Sequence, residues 1–464
     1  MTDDHGQWAS GAYGNSEIQT PVMDWMADTG IRLDHAFCPI PVCSPARASF
    51  WTGRIPSAHG IHDWIAEPDR REELPTIEGQ KTLAVYLKEA GYRTGLVGKW
   101  HCGSCWRRQA GFDTWFTSAL GTRAIAGKQA YYENETVVEF HGHQHEILTD
   151  RVVRFLRDGE REANGERDPF FLFVGYTNTH TPHKGEPEPI VSRYRGSAFP
   201  DIPREPFSEV HGHARIAPFD PGEEGRREQM AQYYAAVDVI DRQLARIVSE
   251  LESSGELEHT LIIYTSDHGH MNGHHGLHTK GNATIPGNFL EESIHVPLLV
   301  RWPGRLPAGR VVEQPVDHCD LFASLLDVAG LDPVTAAAEV NSPGRSCLPL
   351  LRGDPGDWRR EQICEYANAR MIRTPRYKLI RRYPGMKAHW PDAFFNLGED
   401  PRETENRIAD SRYRDILAEL DAHMEAHFAR FGDPERAGIN LEALTWHNAF
   451  SPWVVMPGEN DHRQ

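Results

Sequence analysis

Cys43 heads the run Cys43-Ser44-Pro45-Ala46-Arg47. Ser44 is a favoured helix N-cap, Pro45 suits the first helical position, and Gly53 can end the short helix. The thiol then sits at the positive end of a helix, with backbone donors nearby and Arg47 beside it, a setting that stabilises a developing anion. Two other readings stay open on these residues. One is a capped helix over an ordinary buried thiol. The other is a thiolate nucleophile, which needs an activating histidine that the local sequence does not single out.

Three further polar clusters follow apolar runs. Arg93–Val97 leads into Gly98-Lys99-Trp100-His101, Pro169–Gly175 into Asn178-Thr179-His180-Thr181-Pro182-His183, and Thr260–Tyr264 into Ser266-Asp267-His268-Gly269. Ligands of open α/β sheets bind beyond the carboxyl ends of the strands. If the three runs share a parallel sheet, their clusters meet at one edge and combine cations, imidazoles and a carboxylate, which suits a metal together with an oxyanion. Each cluster alone has a plainer reading: a hydrogen-bonded loop histidine, a turn-forming or capping aspartate, or, for Asp3-Asp4, a solvated acidic terminus.

The elements that must position these residues alternate. Thr82–Ala90 reads as helix, and Gln229–Leu251 is the clearest amphipathic helix, with Met230, Tyr233, Val237, Ile240, Leu244, Ile247 and Leu251 recurring at three- and four-residue spacing. Val296–Val300 adds an apolar strand. Uninterrupted apolar strands between amphipathic helices predict an α/β fold, a mainly parallel sheet sandwiched by helices. The character changes across the Gly/Pro/Asp/Arg-rich stretch Leu351–Arg360. Residues 1–355 are therefore expected to form a catalytic domain. Residues 356–464 are expected to form a smaller α+β subdomain, with an antiparallel sheet including Tyr377–Arg382 and Ala393–Leu397, a helix over Tyr413–Phe431, and a loose tail from Trp453.

The 464 residues carry a net charge of −18, which argues against a nucleic-acid face. No apolar run approaches the ~18 residues of a membrane span, so no membrane partner is expected. Seven cysteines do not make a disulfide framework in a chain this long, and the Cys102/Cys105 pair reads as bystander thiols. The sequence as given opens without a secretory signal, so the cytoplasm is the expectation if Met1 is the start.

Taken together, these motifs resemble the formylglycine-dependent sulfatase family of the alkaline-phosphatase-like superfamily, over nearly the whole length. The C-x-P-x-R run, extended by Ala48-Ser49-Phe50-Trp51-Thr52-Gly53-Arg54, resembles the signal read by formylglycine-generating enzymes. Asp3-Asp4-His5-Gly6 and Asp267-His268-Gly269 resemble the two metal pairs. Lys99-Trp100-His101, His180-Thr181-Pro182 and Lys280-Gly281 resemble the sulfate-binding elements. The resemblance implies that Asp3, Asp4, Asp267, His268 and the modified Cys43 hold one divalent cation, calcium first. Carboxylates fit Ca²⁺ or Mg²⁺, and the imidazole keeps Mn²⁺ or Zn²⁺ open.

It further implies that Cys43 is oxidised to formylglycine by a maturating enzyme and hydrated, and that one hydroxyl attacks sulfur while the other, deprotonated by His101, later expels sulfate. Arg47 would favour the ionised hydrate. Lys99, His180 and Lys280 would neutralise the sulfate oxygens, with His180 or Lys280 protonating the leaving oxygen. His183, His278, His62 and Trp64 are candidate substrate contacts, and Arg373 and His389 further pocket candidates. The expected substrate is a sulfated small molecule or saccharide. Hydrolysis of phosphonate monoesters or phosphodiesters and a non-catalytic binding role are the alternatives. The sequence departs from the family where only Met1 and Thr2 precede Asp3, since a strand usually stands there.

Overall fold

The computed structural model describes residues 1–66, 74–118, 125–159, 168–215, 222–383, 390–448 and 451. The strand Arg93–Gly98 is flanked in parallel by Thr114–Ser118 and Phe170–Gly175. Ala126–Glu133 and Thr136–His143 extend that sheet antiparallel. They are linked through Asn134 and Glu135, both at positive φ, and a two-residue hairpin permits only antiparallel pairing. A second sheet runs in the order Arg310–Val312, Ile31–Leu33, Leu298–Arg301, Ile262–Thr265, with Leu298–Arg301 antiparallel to both neighbours. The α/β class therefore holds with a mixed sheet. Pairing is parallel around Arg93–Gly98 and between Ile31–Leu33 and Arg310–Val312, and antiparallel at Leu298–Arg301 and in the hairpin.

Met1–Asp3 joins the two sheets. The Met1 amino group donates to Val174 O at 2.9 Å and Tyr176 N–H to Met1 O, while Asp3 N–H reaches Asn178 O. On the other side Thr2 N–H donates to Thr265 O and Asp267 N–H to Thr2 O, a parallel bridge. These few rungs align Phe170–Gly175 with Ile262–Thr265, so all three polar clusters emerge at one edge. They also hold the backbone of the Asp3-Asp4 pair. Away from that edge the facing strands enclose an apolar cavity of about 450 Å³, lined by residues such as Leu172, Val174, Val248 and Ile262.

Helices cover both faces. Pro21–Thr29, Gln144–Arg157 and Gly222–Ser253 contribute Met23, Val152 and Tyr233 to one apolar cluster; Cys43–Thr52, Leu83–Glu89 and His318–Val328 contribute Trp51, Leu83 and Phe322 to the other. The long helix exceeds its expected bounds because its start, Gly222–Glu228, is mostly solvated and carries no apolar periodicity to read.

The C-terminal part holds a four-stranded antiparallel sheet, Gln362–Tyr366, Ala369–Arg373, Tyr377–Arg382 and Ala393–Asn396. The helix Arg414–Phe431 packs Leu420, Met424 and Phe428 on Ile372, Leu379 and Phe394. His389 and the tail from Trp453 lie outside the described residues. The sheet docks through polar bonds: Glu365 accepts from Ser57 N–H at 2.6 Å, and buried Lys378 donates to Phe289 O.

Candidate active site

Cys43 is the first residue of a helix that ends at Gly53, whose φ of 68° is the left-handed conformation glycine tolerates. The cap differs from the expected one. Val42 is the N-cap, and the Ser44 hydroxyl accepts from Ile65 N–H instead. Moving the cap two residues upstream places Cys43 itself in the first turn, where free N–H groups favour an anion. The whole helix is buried.

The strand ends bring their cations to this thiol. Gly98 holds φ at 111°, and a Cβ there would meet Gly175 O at 2.1 Å, so only glycine lets the chain turn into Lys99. Lys99 Nζ bonds Asp3, and Lys99 O accepts from Arg47 at 3.0 Å. Lys280 Nζ lies 2.9 Å from Cys43 Sγ and 2.5 Å from Asp4 Oδ1. Its loop is fixed by Gly281 N–H on Pro41 O and by Asn288. Burial pushes the Cys43 thiol up, yet Lys280 and Lys99 together hold it well below its usual value. His101 gives Nε2–H to Ile65 O at 3.1 Å, which leaves Nδ1 as the unprotonated nitrogen; burial, with Lys99 beside it, lowers its pKa. His180 donates Nδ1–H to Thr181 O at 2.6 Å, and although burial opposes it, Asp4 raises its pKa.

The carboxylates form the other half. Donor atoms of Asp3, Cys43, Asp267 and His268 all lie within 4.8 Å of one another, as do those of Asp3, Asp4, Cys43 and His180. His268 Nε2 is 3.2 Å from Asp4 and 3.3 Å from Asp267. Asp3 Oδ1, Asp4 Oδ2 and His268 Nε2 are buried without a hydrogen-bond partner among the described residues. Burial disfavours a charged imidazole, yet Asp267 and Asp4 push His268 up to about 9. Two carboxylates that raise a buried histidine against the effect of its burial mark a pocket that favours positive charge. Hard oxygen donors with one imidazole fit a divalent cation. Arg47, fully buried, locks the frame by donating Nε–H to Asp267 at 2.8 Å.

His183 and His278 stand beside this pocket rather than in it. Gln229 contacts both, and His183 also bonds Thr179 O. Burial holds each at about 3, so they are neutral at physiological pH. The geometry therefore separates His180, turned to Asp4 and Cys43, from its near neighbour His183. His62 is drawn elsewhere: its Nε2 meets Arg436 O at 2.6 Å, anchoring the C-terminal segment. Trp64, half-buried, lies next to Ile65 and accepts from Asn448 through its carbonyl. Arg373 pairs with Glu291. His274 and His275 are buried in packing, the latter 2.9 Å from Glu292. Cys102 and Cys105 are buried and, among the described residues, joined in no disulfide.

Three residues at the site escaped the sequence reading. His270 is fully buried 3.7 Å from Asp4 Oδ2, and its ring stacks on Tyr233. The Tyr233 hydroxyl donates to Asp4 O, and Gln229 bridges the two histidines. The alternation Asp267-His268-Gly269-His270 carried a usable signal for the first. The other two sit on the long helix, where periodicity reads only as core.

Residues 1–331 match the family model described as Sulfatase, and residues 274–430 match that of the N-sulphoglucosamine sulphohydrolase C-terminal region. An N-acetylglucosamine-6-O-sulfatase of Bacteroides thetaiotaomicron is 27% identical, over 93% of this chain and 86% of that protein. A steryl-sulfatase of Mus musculus is 28% identical over 99% and 85%. A solved structure in complex with its substrate D-glucosamine-2-N,6-O-disulfate superposes with a TM-score of 0.77 at 23% identity, covering 93% of this chain and 97% of its own. A phosphonate monoester hydrolase of Agrobacterium radiobacter reaches 0.72 at 22%, covering 93% and 94%; at such identities both likenesses speak for the fold. The match over residues 1–331, on a chain whose thiol, cations and carboxylates converge as described, makes this protein a member of the sulfatase family of the alkaline-phosphatase-like superfamily, a sulfuric ester hydrolase.

Proposed function

We propose that the site cleaves a sulfate ester carried on a carbohydrate, after a maturating enzyme has converted Cys43 to formylglycine. The observation that carries this reading is the position of Cys43 Sγ, between Lys280 Nζ at 2.9 Å and the carboxylate cluster of Asp3 and Asp267. Asp3, Asp4, Asp267 and His268 would hold one divalent cation together with the modified residue 43, and the oxygen-rich donor set favours Ca²⁺. When bound, the cation supplies Lewis-acid charge for the sulfuryl group.

The chain's own groups divide the remaining work. Lys99 and Lys280 balance charge on the sulfate oxygens. His101 spends Nε2–H on Ile65 O, which leaves Nδ1 as the base facing residue 43. His180 spends Nδ1–H on Thr181 O, which leaves Nε2 to protonate the leaving oxygen, and its raised pKa suits an acid. Arg47 orients Asp267 and Lys99 from behind. His183 and His278, neutral and half-buried, are suited to hydrogen-bonding sugar hydroxyls, and relatives named for sulfated amino sugars support a saccharide. In this division residues 1–355 carry the chemistry, and 356–464 buttress the loop from Lys280 to Glu291.

Mass spectrometry of the tryptic peptide bearing Cys43, after co-expression with a maturating enzyme, tests the first step. Aldehyde mass and reactivity are expected at residue 43. Matched aryl sulfate and aryl phosphonate esters then separate the proposed reaction from phosphonate hydrolysis. A mature, metal-loaded protein inactive on sulfate esters defeats the proposal.

A further inference from the structure

A second cluster of metal-ligating side chains stands outside the Cys43 site. His143 ends the strand Thr136–His143, His145 is the second residue of the helix Gln144–Arg157, and Glu186 follows the His180 loop. Their donor atoms lie within 4.8 Å of one another. Glu186 Oε2 is 3.8 Å from His143 Nε2 and 3.7 Å from His145 Nε2. His145 is fully buried and Glu186 is 8% exposed.

The hydrogen-bond inventory there is unbalanced. Gly185 O engages His143, and Nε2 of that ring has no hydrogen-bond partner among the described residues, so the proton sits on the other nitrogen and Nε2 presents a lone pair. Asn178 Nδ2 donates both to His145 Nε2 at 2.6 Å and to Glu186 Oε1 at 2.5 Å, so His145 Nε2 is an acceptor as well. Glu186 Oε2 is buried and likewise accepts no hydrogen bond from the described residues. Four acceptor sites converge on one amide donor. Burying a carboxylate oxygen and an imidazole lone pair without partners is costly, and the missing component is a cation.

We propose that His143, His145 and Glu186 form a second metal site, selective for a borderline cation of the Zn²⁺ type. Two imidazoles and one carboxylate are the donor set such ions prefer, in contrast to the oxygen-rich cluster at Asp3, Asp4 and Asp267. Zinc–ligand bonds of about 2.0–2.2 Å in tetrahedral geometry set donors roughly 3.4 Å apart, a few tenths of an ångström less than the two separations from Glu186 Oε2. The site is structural in its consequence. Asn178 O accepts from Asp3 N–H, and Thr179 donates its hydroxyl to Asp4 O and its N–H to Asp3 O. A cation that takes the His145 Nε2 lone pair in place of the Asn178 amide leaves that amide on Glu186 Oε1, so pinning Glu186 stiffens the loop that cradles the Asp3-Asp4 pair.

The test is metal content after stripping and dialysis against Zn²⁺, read by elemental analysis on the full chain. One zinc equivalent is expected to persist in Asp267→Asn and to be lost, with at least a tenfold fall in affinity, in His143→Ala and Glu186→Gln. Zinc should also raise the melting temperature of the unmodified chain but not of His143→Ala, which sits at the partly exposed rim and tolerates truncation. Zinc uptake unchanged in both cluster variants overturns the site. So does zinc lost only with Asp267→Asn, which would place it in the Cys43 pocket.

Discussion

Replacing Lys378 by Met should unseat the C-terminal sheet. The lysine ammonium is wholly buried and contacts Glu403 Oε1 and Glu291 Oε1 at 2.7 Å each and Phe289 O at 2.8 Å. Glu291 keeps Arg373 at 2.9 Å and His295 at 3.3 Å, so it is not orphaned. Glu403 is 1% exposed and loses the cation at its Oε1; among the described residues its Oε2 keeps the N–H of Glu291. Stranding one partner of a buried ion pair costs about 3–5 kcal/mol. Large domains lose about 2–4 °C per kcal/mol, so the melting temperature should fall on the order of 10 °C.

The loss should also depend on pH. Burial already raises Glu403 against the opposing pull of Lys378, and without that lysine its folded pKa rises further above the unfolded value. A carboxyl of that kind disfavours the fold as pH climbs through its folded pKa, so the deficit is larger at pH 8 than at pH 5. Differential scanning calorimetry of wild type, Lys378→Met and Lys378→Met/Glu403→Gln at both pH values checks this. A loss below about 1 kcal/mol, no pH dependence, or no recovery in the double variant refutes the reasoning.

Three more expectations follow from particular contacts. Gly98→Ala brings a Cβ to 2.1 Å from Gly175 O at a φ of 111°; backbone strain of about 1–3 kcal/mol and displacement of Lys99 should lower both melting temperature and kcat, and unchanged values of the two contradict it. Asp267→Asn removes a carboxylate of the proposed cation site and the partner of Arg47 Nε; divalent affinity by calorimetric titration should drop by more than the ~10–100-fold typical of outer-sphere changes, and retained affinity excludes Asp267 from that site. Burial pushes Asp241 up to about 7 although Val22 and Met23 N–H groups bond it, so the fold should lose stability between about pH 4 and 7, by up to about 4 kcal/mol at 1.36 kcal/mol per pH unit; in Asp241→Asn that part of the melting-temperature profile should be flat, and a parallel profile rejects the assignment.

What the sequence carried, and what it hid, divides by the range of the interactions. Cys43, Arg47, Lys99, His101, His180, Asp267 and His268 follow strand ends or start a helix, so local pattern alone places them near one edge. Which histidine of the His180 loop faces the thiol was not local. It depends on Gln229 and Tyr233, which arrive on a distant helix, Gln229 lying 46 positions beyond His183, and hold His183 aside. Ser44 misled for a related reason: its hydroxyl has the right chemistry for a cap, but Ile65 N–H competes for it, and the competitor comes from another loop. The mixed direction of the sheet hung on Asn134-Glu135, a turn whose left-handed backbone neither residue advertises as strongly as glycine does.

The Asp3-Asp4 pair shows the same division from the other side. Local pattern gives no signal for what holds the pair. Yet backbone bonds from residues 1–3 reach Phe170–Gly175 and Ile262–Thr265 and the segments that follow them, and Thr179 and Tyr233 clamp the Asp3 and Asp4 carbonyls. The pair is held by rungs at its own backbone, and those rungs belong to residues far away in the chain.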